Sequence, residues 1–303
     1  MGDGPVIRTE RLTKRYGRAR GVDGLDLVVE RGEVFGFLGP NGAGKSTTIR
    51  LLLDLLRPTS GRAELFGTDP RAGGAALRRR LSYLAGDFVV DGRQSARELL
   101  TYLGHLRGGV PAARIDALAE RLGLDLGRRV RAMSKGNRQK VGLVQAFMHE
   151  PELLILDEPT SGLDPLVSQE FLALTREARA GGQTVFMSSH IMSEVQQTAD
   201  RVGIIRAGRL VTVEKVETLR RRAVRDVEVR FAEPVTATEF ASIPGVGALT
   251  VTGHVLTCRL GGSADGFVKA IARHDVLSLR SEEPDLEELF LHYYADAGTS
   301  DAA

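Results

Sequence analysis

A lone cysteine, no apolar run long enough to span a bilayer and almost no excess of charge are the first features of this 303-residue sequence. Cys258 has no second thiol to pair with, so no internal disulfide can form, and a reducing cytoplasm is the compartment that fits. No stretch approaches the roughly 18 consecutive apolar residues that cross a membrane, so the chain is expected to sit beside a membrane at most. The start, Met1-Gly2-Asp3-Gly4-Pro5, lacks the basic and apolar segments of a secretory signal. Lys and Arg number 41 against 39 Asp and Glu, a formal net charge of +2, which supplies no field to draw the chain onto nucleic acid. Internal repeats and extended low-complexity tracts are missing as well.

What is present points to two domains, since 303 residues at roughly 150 per domain, 42% of them hydrophobic, suffice for two buried cores. Three uninterrupted apolar runs, Glu33-Val34-Phe35-Gly36-Phe37-Leu38, Leu153-Leu154-Ile155-Leu156 and Thr184-Val185-Phe186-Met187, read as strands covered on both faces. Such strands belong to a mostly parallel sheet flanked by helices, an α/β core. Residues 47–56 repeat Leu and Ile at helical spacing, and 95–149 turn helical again through Leu99, Leu100, Leu103, Leu106, Ile115, Leu118 and Leu122. The second stretch reads as a helical insertion over about 88–150. Near residue 215 a basic run gives way to the strict alternation of Val227, Val229 and Phe231. The expected division is therefore 1–215, then 216–296 as a small α+β unit, then a small, polar and disordered tail over 297–303. In the second unit a βαββαβ order, with two strands meeting at Thr252-Gly253-His254, helices over 264–273 and 285–294, suggests a ferredoxin-like domain.

Chemistry concentrates in the first unit. Gly39-Pro40-Asn41-Gly42-Ala43-Gly44-Lys45-Ser46 fits G-x-x-x-x-G-K-[ST], follows an expected strand and opens an expected helix. The glycines let backbone N–H groups turn around an anion, the helix N-terminus adds partial positive charge, and Lys45 reaches terminal phosphates. Ser46 places a hydroxyl for Mg²⁺, and Thr47 continues the phosphate-binding turn. At the end of the second apolar run, Asp157 is positioned to hold Mg²⁺ directly or through water. Glu158, one residue on, is the candidate base for an attacking water.

At this point the chain resembles the ATP-binding subunits of ABC transporters. Arg131-Ala132-Met133-Ser134-Lys135-Gly136-Asn137-Arg138-Gln139-Lys140, about a dozen residues before the acidic strand, is similar to the family's signature. Tyr16 in Thr13-Lys14-Arg15-Tyr16-Gly17, Ser161-Gly162-Leu163-Asp164 and His190 fall in the family's order, so the resemblance covers residues 6 to about 215. It implies an ABC cassette of the P-loop NTPase fold, with ATP and Mg²⁺ as ligands. It also implies that Tyr16 stacks on adenine, His190 contacts the γ-phosphate, and Asp164 acts across a dimer. Ser134, Lys135 and Gly136, at a helix head, form a second anion site that closes over the phosphate loop of another copy.

Two departures stand out. Where most relatives carry a Gln, this chain has Gly86 in Ser82-Tyr83-Leu84-Ala85-Gly86-Asp87, so either Asp87 takes the role at the metal or water completes the shell. The signature carries Lys135 for a Gly and Asn137 for a Gln.

The resemblance implies an energy-coupling ATPase that works as a homodimer with a separate multi-span membrane permease, on the cytoplasmic face of the membrane. Pro284-Asp285-Leu286-Glu287-Glu288-Leu289-Phe290-Leu291-His292-Tyr293-Tyr294 is similar to the extension of the daunorubicin-resistance branch, which points to drug or antibiotic export. Import coupling and a nucleic-acid-associated ATPase of the same superfamily are the alternatives. The second is disfavoured because about a hundred residues without long heptads separate Lys45 from Asp157, and no nucleic-acid partner is expected.

Overall fold

The computed structural model describes residues 4–17, 19–89, 93–222 and 224–281. The expected helix over 285–294 and the tail over 297–303 lie outside the described residues. The chain divides into two compact units, 1–214 and 215–303.

The first unit opens with β1 (Ile7–Tyr16) and β2 (Ala19–Val29), then β3 (Val34–Leu38) runs through the glycine-rich turn into α1 (Lys45–Leu52). β4 (Ser60–Leu65) and the short α2 (Gly74–Arg79) precede β5 (Leu81–Leu84). α3 (Ala96–Leu106), α4 (Ala112–Arg121) and α5 (Lys135–Phe147) make up the helical insertion. β6 (Leu153–Asp157), α6 (Pro165–Ala180), β7 (Thr184–Ser189), α7 (Met192–Gln196), β8 (Arg201–Arg206) and β9 (Arg209–Lys215) complete the cassette. α1 is shorter than the 47–56 periodicity suggests, because Asp54 adopts a left-handed conformation (φ 56°) that an α-helix cannot continue through.

A six-stranded sheet in the order β5-β6-β7-β3-β8-β9 forms the centre, and its contacts from β5 through β8 are parallel. Every residue of β3, β6 and β7 is buried, as strands covered on both faces require. Phe186 packs against Phe35 and Phe37 with ring centroids 5.9 and 5.4 Å away. Because β6, β7 and β3 are immediate neighbours and parallel, their C-terminal ends lie side by side, each about 4.8 Å from the next. Those ends carry Asp157, Ser189 and Leu38, so whatever follows each of them meets the others.

A second, antiparallel sheet in the order β2-β1-β4 was not anticipated from sequence. Its alternation is broken by register shifts between Thr9 and Leu12 and between Leu12 and Lys14, with Arg11 at φ 45°. Bulges of this kind put two residues opposite one and scramble the period-two pattern that identifies a strand. Asp26 Oδ1 accepts a hydrogen bond from the Arg11 N–H at 2.7 Å and holds the bulge.

In the insertion, Ser95 and Glu98 form a reciprocal capping box at the head of α3, and Ser134 Oγ accepts from the Asn137 N–H at the head of α5.

The second unit continues with α8 (Val216–Arg222), β10 (Arg225–Phe231), α9 (Thr238–Ala241), β11 (Val246–Thr252), β12 (Val255–Leu260), α10 (Asp265–Ile271) and β13 (Val276–Ser281). Its four strands pair antiparallel in the order β11-β12-β10-β13. Val227, Val229, Phe231, Leu256, Cys258 and Leu260 face a core closed by Phe240 and Phe267 from the two helices. Alternate residues face outward as a charged surface, where Arg259 lies opposite Asp226 with 3.5 Å between charged atoms.

Candidate active site

The turn after β3 wraps the head of α1. Gly44, the residue before the helix, sits at φ 113°, and a Cβ there would lie 2.5 Å from the Gly21 carbonyl oxygen, so both its conformation and its surroundings demand glycine. Lys45 begins the helix and is 6% exposed. Its ammonium donates to the Gly39 carbonyl at 2.6 Å and the Pro40 carbonyl at 3.3 Å, and lies 3.1 Å from Glu158 Oε1. The last contact is one of charge alone, since Oε1 is buried without a hydrogen-bond partner.

Asp157 closes β6 at 4% exposure and accepts from Ser188 Oγ, on the neighbouring β7, at 2.5 Å. Glu158 follows in a left-handed conformation (φ 47°), a strain of about 1–3 kcal/mol for a residue with a side chain. Its N–H is held by the Ser188 carbonyl at 3.2 Å and Ser188 Oγ at 3.1 Å. His190, just past β7, brings Nδ1 to 2.6 Å from Glu158 Oε2. One carboxylate thus stands between an ammonium and an imidazole, with each oxygen turned to one of them.

Ser188 escaped the reading from sequence, which takes the apolar run only as far as Met187 and singles out His190 beyond it. So did Glu194 on α7, which accepts from Thr160 Oγ1 at 2.6 Å and ties the segment after His190 to the turn after Glu158. Burial raises the Glu194 carboxyl above the usual range, and the Thr160 hydrogen bond opposes it. Tyr83 on β5 is raised likewise, first by burial and then by the charge of Asp157.

Tyr16, Pro40, Asn41, Gly42, Gly44, Lys45, Ser46, Thr47 and Glu158 line one cavity of about 260 Å³, with the Tyr16 ring 45% exposed at its rim. Lys14 Nζ stands 5.5 Å from that ring's centroid. A larger cleft of about 920 Å³ beside β1 and β4 is lined by Arg11, Asp23 and Arg62 among others and contains no residue of the glycine-rich turn. Gly86 lies against the acidic turn, since a Cβ on it would be 3.2 Å from the Asp157 carbonyl oxygen and 3.6 Å from Asp157 Oδ2. Asp87 beside it is exposed.

Ser134, Lys135, Gly136 and Asp164 do not line the cavity of Tyr16 and Lys45. They form a second group around the heads of α5 and α6. Lys135 Nζ donates to Ser161 Oγ at 3.2 Å, and Asp164 Oδ1 caps α6 by accepting from the Val167 N–H at 3.0 Å.

A glycine cradle after β3, a buried lysine and a carboxylate pair at the end of the nearby parallel strand β6 define a P-loop nucleoside-triphosphatase. The family model described as ABC transporter matches residues 22–161. The chain is 38% identical to the daunorubicin resistance ATP-binding protein DrrA3 of Streptomyces coeruleorubidus over 96% of each chain. With the bacitracin transport ATP-binding protein BcrA of Bacillus licheniformis the identity is 39%, over 75% of this chain and 76% of that one. A solved structure of the ATP-binding subunit of an ABC transporter superposes with TM-score 0.66 at 30% identity, covering 71% of this chain and 92% of that one. The chain therefore belongs to the ABC transporter family, among its ATP-binding subunits. It is an ATPase cassette, and among the described residues no helix is long and apolar enough to cross a membrane.

Proposed function

We propose that this chain is the energy-coupling ATPase of an exporter, driving efflux of a drug or antibiotic-like compound through a separate multi-span membrane subunit from the cytoplasmic face. The observation that carries the role is the 38% identity to a daunorubicin-resistance ATP-binding protein over 96% of each chain, the second unit included.

The site supports specific roles. Tyr16 stacks on the adenine ring, and residues 39–47 cradle the phosphates with their N–H groups while Lys45 neutralises the terminal oxygens. Lys45 then exchanges its partners Gly39 O and Glu158 for phosphate. Glu158 takes the proton of the attacking water, and His190, hydrogen-bonded to its other oxygen, fixes the carboxylate and reaches the γ-phosphate. Ser46 and Asp157 are hard oxygen donors that would hold Mg²⁺, and Gly86, whose backbone lies close against Asp157, offers no side chain there, so Asp87 or water would supply the remaining donor. Bound there, Mg²⁺ offsets the charge that develops on the transferred phosphoryl group. Ser134, Lys135 and Gly136 of one copy close over the phosphate loop of another, with Asp164 at the same junction, so the working unit is a homodimer.

Tagged wild-type protein and the Glu158→Gln variant, purified from detergent-solubilised membranes of the source cells, test the role together with drug susceptibility of cells lacking the chain. Both proteins should bring down the same multi-span membrane protein, and only wild type should restore resistance. Equal resistance with either variant, or co-purification with ribosomes or DNA-repair proteins in place of a membrane subunit, would sink the export reading.

A further inference from the structure

The left-handed backbone of Glu158 needs something to hold it, and Ser188 holds only its N–H side. The carbonyl side is held by the Ser161 N–H within the turn, at 3.1 Å, and from the helical insertion. Gln139, in the second turn of α5 and 2% exposed, donates from Nε2 to the Pro159 carbonyl at 3.0 Å and to the Glu158 carbonyl at 3.4 Å.

The same two turns of α5 run along the rest of the acidic turn. Lys135 Nζ reaches Ser161 Oγ, Gly136 is so close to Gly162 that a Cβ would lie 2.5 Å from its carbonyl oxygen, and Lys140 Nζ stands 4.0 Å from Asp164 Oδ2. From 158 to 164 the segment therefore leans on one helix, whose head carries the Ser134-Lys135-Gly136 anion site. Five residues, about 7.5 Å along a helix, separate Ser134 from Gln139.

We propose that Gln139 is a positioning residue for hydrolysis: its amide fixes the turn that carries the Glu158 carboxylate beside His190 and ties that base to the anion site at the head of α5. The proposal rests on Glu158 being the base. A side-chain amide suits the task because it is neutral and carries two N–H donors for two successive carbonyls. Without it the Pro159 carbonyl loses its donor and the Glu158 carbonyl keeps only the Ser161 N–H at 3.1 Å, the strained turn relaxes, and the carboxylate moves off His190. An anion drawn to the helix head acts on the same rigid body, so the head of α5 and the base respond together.

Two substitutions separate hydrogen bonding from packing in the full-length protein. Gln139→Met fills a similar volume with no donor, and Gln139→Glu keeps the shape but turns acceptors toward the carbonyls at neutral pH. Steady-state ATPase kinetics and thermal unfolding are measured beside Glu158→Gln. Both Gln139 variants should lower kcat about ten- to a hundredfold, with KM for ATP within about twofold of wild type, and Gln139→Met should keep Tm within about 3 °C of wild type. Unchanged kcat in Gln139→Met overturns the proposal, as does a joint collapse of kcat, ATP affinity and Tm, which marks a merely structural role. If Glu158→Gln abolishes hydrolysis while Gln139→Met does not, the base stands and the positioning role falls. Wild-type hydrolysis by Glu158→Gln removes the base and the inference with it.

Discussion

The two units of this chain solve the same problem of burying a sheet in opposite ways. In the cassette the central strands are buried on both faces and their exposed chemistry is confined to their C-terminal ends. In the second unit the antiparallel strands β10 and β12 bury one face and give the other to solvent, with cross-strand charge pairs such as Asp226 and Arg259. The first arrangement collects residues from distant parts of the chain at one edge and tolerates strain there, as at Glu158. The second spreads its polar groups evenly, and among the described residues it holds no comparable cluster. Parallel burial makes a site, whereas one-sided burial makes a platform.

That contrast is sharpest in catalysis. Glu158→Gln is expected to lower kcat by about 10²–10⁴ while ATP still binds, a loss read by phosphate release alongside nucleotide titration. A variant that hydrolyses normally would remove the strand-end carboxylate as the base. The complementary break is Phe240→Ala, which empties a fully buried position of the second unit. About 3–5 kcal/mol should be lost from that unit's unfolding, followed by denaturation, while cassette ATPase holds. A parallel loss of ATPase would show that the units are energetically inseparable.

A smaller effect distinguishes a buried joint of the cassette. His149, just past α5, is pushed down to about 4, first by burial and then by the charge of Arg107. The Leu81 and Gln145 carbonyls nearby oppose that shift without forming well-aligned hydrogen bonds. The unfolded chain, with an ordinary imidazole at 6.5, takes up this proton first. The contribution is therefore full above pH 6.5 and is lost as pH falls from there toward 4. Unfolding of wild type and His149→Gln across that window should show a shallower slope for the variant. Least of all should follow from Lys269→Ala on α10, whose partner Asp265 is as exposed as itself. About 0.5 kcal/mol or less is expected, and a larger shift in Tm would mean that the solvated surface carries more than its geometry implies.

The α/β cassette was legible because its decisive signals are local: three apolar runs, a glycine-rich turn between strand and helix, and a carboxylate pair ending a strand. The antiparallel sheet of β1, β2 and β4 was not, because the bulges around Arg11 destroy the alternation that reveals a strand. For the site, Lys45, Asp157, Glu158 and His190 stand out as motifs, but their meeting depends on β6, β7 and β3 being neighbours, which is a property of strand order. Ser188 and Glu194 carry no motif, and Gln139 lies in the signature-like run without a role that its position there reveals. Each acts through hydrogen bonds across a long sequence separation, and single-residue chemistry leaves no pattern to read.

The order β6-β7-β3 has a further consequence for how the molecule matures. The residues that follow Leu38, Asp157 and Ser189 are brought together only when segments some 30 to 150 positions apart have paired, and such non-local pairing forms slowly. The site is thus among the last features to assemble and among the first to dissolve when the sheet opens. A nucleotide that binds only the completed sheet edge stabilises the whole cassette, by about 2.7 kcal/mol at a free concentration a hundred times its Kd. In a cell where ATP is abundant, the substrate doubles as a clamp on the fold, and starvation for ATP becomes a threat to the enzyme's lifetime as well as to its work.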